Sequence, residues 1–135
     1  MDVIDTGLPA VKAPFEWATA GGRTLYTAQI PIRPDGSIET GEIEAQAELI
    51  LGNLDQTMRA AGGGLGDVVQ VLVYLTDAAD VARMNAVYGR FFLPPYPNRA
   101  TMIISALAIP GMRMEVVAYG YLRHAAEGAG RPAPR

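Results

Sequence analysis

Two charged side chains interrupt the last two apolar runs of the chain. Arg99 opens the run Ala100-Thr101-Met102-Ile103-Ile104, and Glu115 sits within Met112-Arg113-Met114-Glu115-Val116-Val117-Ala118-Tyr119. A charge in such a place lies on a solvated face, pairs structurally, as Glu115 could with Arg113 or Arg99, or marks a site where the charge does chemistry. Other chemistry is scarce. With no cysteine, thiolate nucleophiles, disulfides, iron–sulfur clusters and cysteine zinc sites are excluded together. The lone His124 follows the last apolar run beside the C-terminal tail, so a Ser-His-Asp or Cys-His apparatus has no anchor. The single lysine, Lys12, precedes Ala13-Pro14 in a loop-like stretch. Gly62-Gly63-Gly64-Leu65-Gly66 follows a helical pattern and no lysine comes after it, so it reads as a helix stop, not a phosphate loop.

Around these candidates the chain must build elements able to hold them. Its 135 residues, half hydrophobic and 19% charged, supply one domain core, and burial in a unit this small invites oligomerisation as a supplement. Eleven basic against fourteen acidic residues leave a net charge of -3, which offers no electrostatic case for nucleic acid or an anionic membrane. No apolar run approaches the roughly 18 residues of a membrane span and no signal peptide is visible, so a cytoplasmic location is expected. Residues 1–122 read as a single domain, and 123–135, rich in Gly, Pro and Ala, as a disordered tail.

Hydrophobic periodicity outlines the domain. A strand is expected over 24–30, stopped by Pro31 and the Pro34-Asp35-Gly36 turn, with a short strand near 2–6 before it. Ile43, Ala47, Ile50, Leu54, Met58 and Ala61 recur at three- and four-residue steps and predict a helix over about 42–61. Val68–Leu75 is a nearly continuous aliphatic run, the pattern of a strand buried on both faces. A second helix is expected over about 78–92, ended by Pro94-Pro95, and two strands over 99–106 and 112–122, separated by Pro110-Gly111. This order argues for an α+β sheet with both helices on one face. The other face is then solvated or covered by a partner, and the apolar strands favour the partner.

Four segments carry a resemblance. Tyr26-Thr27-Ala28-Gln29-Ile30-Pro31, Met84-Asn85-Ala86-Val87-Tyr88-Gly89-Arg90-Phe91-Phe92, Tyr96-Pro97-Asn98-Arg99-Ala100-Thr101 and Met114-Glu115-Val116-Val117-Ala118 resemble, in order and spacing, the RidA/YjgF family of small enamine/imine deaminases, over about residues 13–122. Each segment alone is weak; four in register are strong. The resemblance implies a chorismate mutase-like fold, with three protomers packing their sheets into a central barrel and clefts between adjacent subunits. It implies that Arg99 grips the substrate carboxylate through its planar fork, and that Glu115 orients or activates the attacking water and moves protons. It places the Thr27 hydroxyl, the backbone around Ala28 and Thr101, and Asn85 beside the substrate. A plain strand hydroxyl at Thr27 and a helix-packing or capping role at Asn85 remain equally open.

Two departures accompany the match. Phe15 stands where many deaminating members carry an aromatic hydroxyl, and Thr101 where a cysteine is common. Both point away from the usual 2-aminoacrylate-type substrate and toward a larger or different imine, with Trp17, Tyr96 and Phe15 as candidate aromatic walls. The implied reaction is hydrolytic deamination of an enamine or imine to a 2-keto acid and ammonia, which needs no metal or organic cofactor. The alternative is a trimer that binds small carboxylates of the 2-keto acid type without turnover. The family's older label, L-PSP endoribonuclease, fits poorly with the negative net charge and the absent histidine apparatus.

Overall fold

The β-rich runs assemble into one six-stranded sheet in the computed structural model, which describes residues 1–125. The strands are β1 (Asp2–Val3), β2 (Ala18–Gly21), β3 (Thr24–Gln29), β4 (Val68–Leu75), β5 (Asn98–Ile103) and β6 (Met114–Tyr121), and they lie in the order β1-β2-β3-β6-β4-β5. β4 and β5 pair in parallel and the other neighbours antiparallel. The last strand thus slots between β3 and β4, whose connection is the helix α1 (Ile43–Ala60); α2 (Val81–Phe91) connects β4 to β5. Parallel neighbours need such crossovers, because a tight turn cannot bring a strand back to the same end.

Each helix forms for a local reason and ends for one. Along α1, Ile43, Ala47, Ile50, Leu51, Leu54 and Met58 are buried at three- and four-residue spacing. It stops where Gly62 takes φ +89° and the Gly62 and Gly63 N–H groups donate to the carbonyls of Arg59 and Met58. That left-handed turn is accessible to glycine at little cost, so the glycine run is a helix stop. The predicted second helix begins with a 3-10 turn, Ala78–Asp80, whose Ala79 N–H is accepted by the Asp77 carboxylate at 2.9 Å. Both helices cover the same sheet face: Val71, Val73, Leu75, Met114, Val116, Ala118 and Leu25 form one core cluster with the apolar faces of α1 and α2. Truncating a fully buried Leu or Met of this cluster to Ala would cost about 2–5 kcal/mol.

The α+β sheet with two helices on one face is as the sequence predicts, with three corrections. Ala18–Gly21 is a strand, made of small residues whose pairing with β3 supplies the stability that their own propensity lacks. The runs expected over 99–106 and 112–122 shorten to β5 and β6, and the N-terminal strand to Asp2–Val3. In the single chain β4 is buried on one face only: Val71, Val73 and Leu75 are buried, while Leu72 and Tyr74 between them are half-exposed. A bulge between Val68 and Gln70 resets the alternation and turns Val69 to solvent, 51% exposed. Of the expected disordered tail, residues 126–135 lie outside the described residues.

Candidate functional site

On α2, Asn85, Tyr88 and Gly89 share one side through the three- and four-residue spacing of a helix. That side faces β5 and the approach to it, so that Asn85, Tyr88, Gly89, Tyr96, Pro97 and Arg99 line a cleft of about 310 Å³. Arg99 is the charged side chain of this lining. The guanidinium carbon lies 4.7 Å from the centroid of the Tyr88 ring, and among the described residues Arg99 enters no ion pair and donates no side-chain hydrogen bond. Tyr88 is itself backed by Phe92, with ring centroids 4.6 Å apart. Burial pushes the Tyr88 phenol above its ordinary pKa, and the positive charge of Arg99 partly offsets that shift.

Arg113 behaves differently. Its guanidinium donates to both carboxylate oxygens of Asp80, at 2.9 and 2.8 Å, and Asp80 is 2% exposed. Neither Arg113 nor Arg99 is therefore the counterion of Glu115. Burial without a compensating charge pushes the Glu115 carboxyl above the usual carboxylate range. Such a group holds a proton at higher pH than a solvated glutamate and is the stronger base once ionised.

Arg99 and Glu115 do not meet within one chain. Arg99 is level with Val71 of β4, in the buried series, while Glu115 is level with Tyr74, in the half-exposed series. Side chains alternate across a strand, so the two charges point to opposite faces of the sheet. Arg99 shares the helix-side face of β5 with Thr101, which is exposed; Glu115 shares the uncovered face with Tyr74. Ala28 is also exposed on that uncovered face, level with Val117.

Phe15 and Thr27 lie elsewhere. Phe15 precedes β2, and β2 and β5 are four strand spacings apart in the sheet order, roughly 19 Å at the usual spacing. The Phe15 ring is half-exposed and makes an edge contact with Trp17 at 5.4 Å, in the segment 3–17 that curls around a cavity of about 510 Å³. Trp17 is buried within the single chain and its indole N–H donates to the Pro9 carbonyl at 2.8 Å. The Thr27 hydroxyl is buried, donates to the Trp17 carbonyl at 2.6 Å and accepts from Gln29, whose amide also reaches Thr57. Through these bonds it ties the N-terminal segment to the sheet. The sequence does not single out Tyr88; its place three residues after Asn85, on the same side of α2, is the local signal for it. Among the described residues no cluster of three or more His, Cys, Asp or Glu could hold a metal ion, and no helix is long and apolar enough to cross a membrane.

Comparison with known proteins follows the same lines. Residues 7–122 match the family described as Endoribonuclease L-PSP. A RutC family protein of Pyrococcus abyssi is 37% identical over 114 residues, covering 82% of this chain and 90% of the relative. The crystal structure of RidA from an Antarctic Psychrobacter bacterium superposes with a TM-score of 0.83 at 32% identity, over 90% of this chain and 99% of that one. Escherichia coli TdcF, crystallised with bound serine, superposes with a TM-score of 0.82 at 29% identity, over 90% of this chain and 98% of that one. The four sequence segments, the sheet order that positions them and these relatives agree, and the chain belongs to the RidA/YjgF family, the L-PSP and RutC family of small α+β proteins.

Proposed function

We propose that this protein hydrolyses reactive enamine and imine intermediates to 2-keto acids and ammonia, with Arg99 binding the substrate carboxylate and Glu115 orienting or activating water. The observation that carries the reading is Arg99 itself: a guanidinium held in an open cleft beside Asn85 and, among the described residues, with no carboxylate of its own. A guanidinium so placed presents a fork matched to a planar carboxylate. The bound serine of TdcF supports a small carboxylate-bearing ligand.

The chemistry follows from that grip. The enamine takes a proton at carbon and becomes an iminium, the protonated imine; water adds to its carbon as Glu115 accepts a proton from the water oxygen. Glu115 returns that proton to the carbinolamine nitrogen, the C–N bond breaks to release ammonia, and the hydroxyl gives its proton to solvent as the carbonyl forms. Positioning and electrostatic stabilisation are enough for a bond that water already attacks unaided. Asn85 offers a further hydrogen bond at the cleft, and Thr101 occupies the same strand face as Arg99.

Because Arg99 and Glu115 face opposite sides of one sheet, the complete site needs a second chain, and we assign it to the cleft between neighbours in a homotrimer. The uncovered face supports this. Tyr26 and Tyr121 are 47% and 52% exposed there, with Leu72, Tyr74, Val117 and Tyr119 half-exposed among them. An apolar and aromatic sheet face of this extent is covered in stable proteins. Light scattering should give three times the 14.4 kDa chain mass, and a monomer would dismantle the shared site.

The activity is tested by ammonia release from imines generated in situ by an amino-acid oxidase across a panel of amino acids. Acceleration by the wild type that is lost in Arg99→Ala is expected. No acceleration across the panel would overturn turnover as the function.

A further inference from the structure

We infer that Tyr88 is the positioning residue of Arg99: its ring holds the guanidinium in the cleft while leaving the N–H fork free for an incoming carboxylate. The inference rests on the proposed role of Arg99 as the carboxylate grip, and asks what keeps so long a side chain in place. An arginine is usually ordered by an acid, as Arg113 is by Asp80 through two hydrogen bonds of 2.9 and 2.8 Å. Such a partner takes up the donors and neutralises the charge that a ligand would use. An aromatic face attracts the cation through its quadrupole and has no oxygen lone pair there to compete with the ligand.

The geometry supports a built platform. The guanidinium carbon stands 4.7 Å from the Tyr88 ring centroid, inside the range of about 6 Å over which the attraction acts. Tyr88 is 6% exposed and Phe92 behind it 3%, with the two rings 4.6 Å apart and tilted by 30°. Tyr88 and Phe92 are four residues apart, one turn along the end of α2, whose cap N–H at Phe92 donates to the Tyr88 carbonyl. A ring buried against another ring cannot swing away, so the cation above it inherits a fixed floor. The Tyr88 hydroxyl is buried and has no hydrogen-bond partner among the described residues, which assigns the task to the ring and not to the phenol.

The test is binding of 2-oxobutanoate, a plain 2-oxo acid, to the full chain by calorimetry, alongside KM and kcat for imine hydrolysis. Tyr88→Leu and Tyr88→Met, two apolar replacements without a ring, should each weaken binding about tenfold. The loss should appear mainly in KM, with kcat changed less. Tyr88→Phe, which keeps the ring, should stay within about twofold of wild type. In an Arg99→Ala background, Tyr88→Leu should weaken binding no further, because the ring then has no cation to hold.

Three outcomes would overturn the inference: ringless variants that bind as well as wild type while Arg99→Ala does not, a Tyr88→Phe as weak as Tyr88→Leu, or losses that add in the double variant. Wild-type binding that survives Arg99→Ala would instead remove the carboxylate grip itself, and the positioning role with it.

Discussion

The two ends of α2 hold their arginines by opposite means. Before its first turn, Arg113 is locked to the buried Asp80 carboxylate, and Arg113 N–H also donates to the Gln46 side chain at 2.7 Å. Near its last turn, Arg99 lies over the Tyr88 ring, and among the described residues it pairs with no acid. The first arrangement gives a buried carboxylate two hydrogen bonds and a counterion. The second leaves a positive charge unanswered at an open cleft, where an anion from outside can answer it. Residue type is the same in both places; the counterion, or its absence, separates a structural arginine from one available to a ligand.

This contrast is sharpest under substitution. Arg99→Ala should lower imine hydrolysis about 10²- to 10³-fold, as expected when one partner of a hydrogen-bonded charge pair is removed, with a melting temperature close to wild type. Arg113→Ala should do the reverse. It strands Asp80 as a buried, unpaired acid and should cost about 2–3 kcal/mol in urea unfolding, while the activity of the folded fraction persists. Equal stability losses in the two variants would erase the distinction drawn between them.

Glu115 extends the contrast to an acid that, among the described residues, pairs with no base. Glu115→Gln should lower kcat by about 10² and leave 2-oxo acid affinity in place; loss of both would point to a binding role for the carboxylate. Its raised pKa also sets a sign. The folded chain holds the Glu115 proton more tightly than the unfolded chain, so wild type should lose stability relative to Glu115→Gln as pH rises from the ordinary carboxylate range through the raised value. Denaturant titrations of both proteins across that window would read the trend, and parallel curves would contradict it. Catalysis should run the other way, falling as the pH drops and Glu115 takes up its proton.

The smallest effect belongs to the N-terminal segment, far from either arginine. Thr27→Val removes the hydroxyl that joins the Trp17 carbonyl to the Gln29 amide and should cost about 1–2 kcal/mol. A melting temperature equal to wild type would mean that this buried link does not anchor the segment.

Much of this architecture is legible in the chain. The three- and four-residue stripe of Ile43, Ala47, Ile50, Leu54 and Met58 specifies α1, and Gly62 ends it, because helix period and left-handed turns are local properties. β2 is not legible there, because Ala18-Thr19-Ala20-Gly21 carries little strand preference and depends on its pairing with β3. Apolar spacing starts the second helix at Ala78, yet the first turn there is 3-10 and capped by Asp77, a boundary that spacing alone does not resolve.

The candidate site divides in the same way. From the sequence alone come the scarcity of cysteine, histidine and lysine, the charges at Arg99 and Glu115, the helix carrying Asn85, and a resemblance strong enough to give each a role. Only the tertiary structure decided that Arg99 and Glu115 face opposite sides of the sheet, that Thr27 and Trp17 are turned to internal partners, and that Tyr88 lies beneath Arg99. The reason is physical. Periodicity shows which residues of one strand share a face, but the relation between two strands depends on their register and order, set here by β6 entering between β3 and β4. What a charge will touch is therefore settled by pairings distant in sequence, and no local pattern records them.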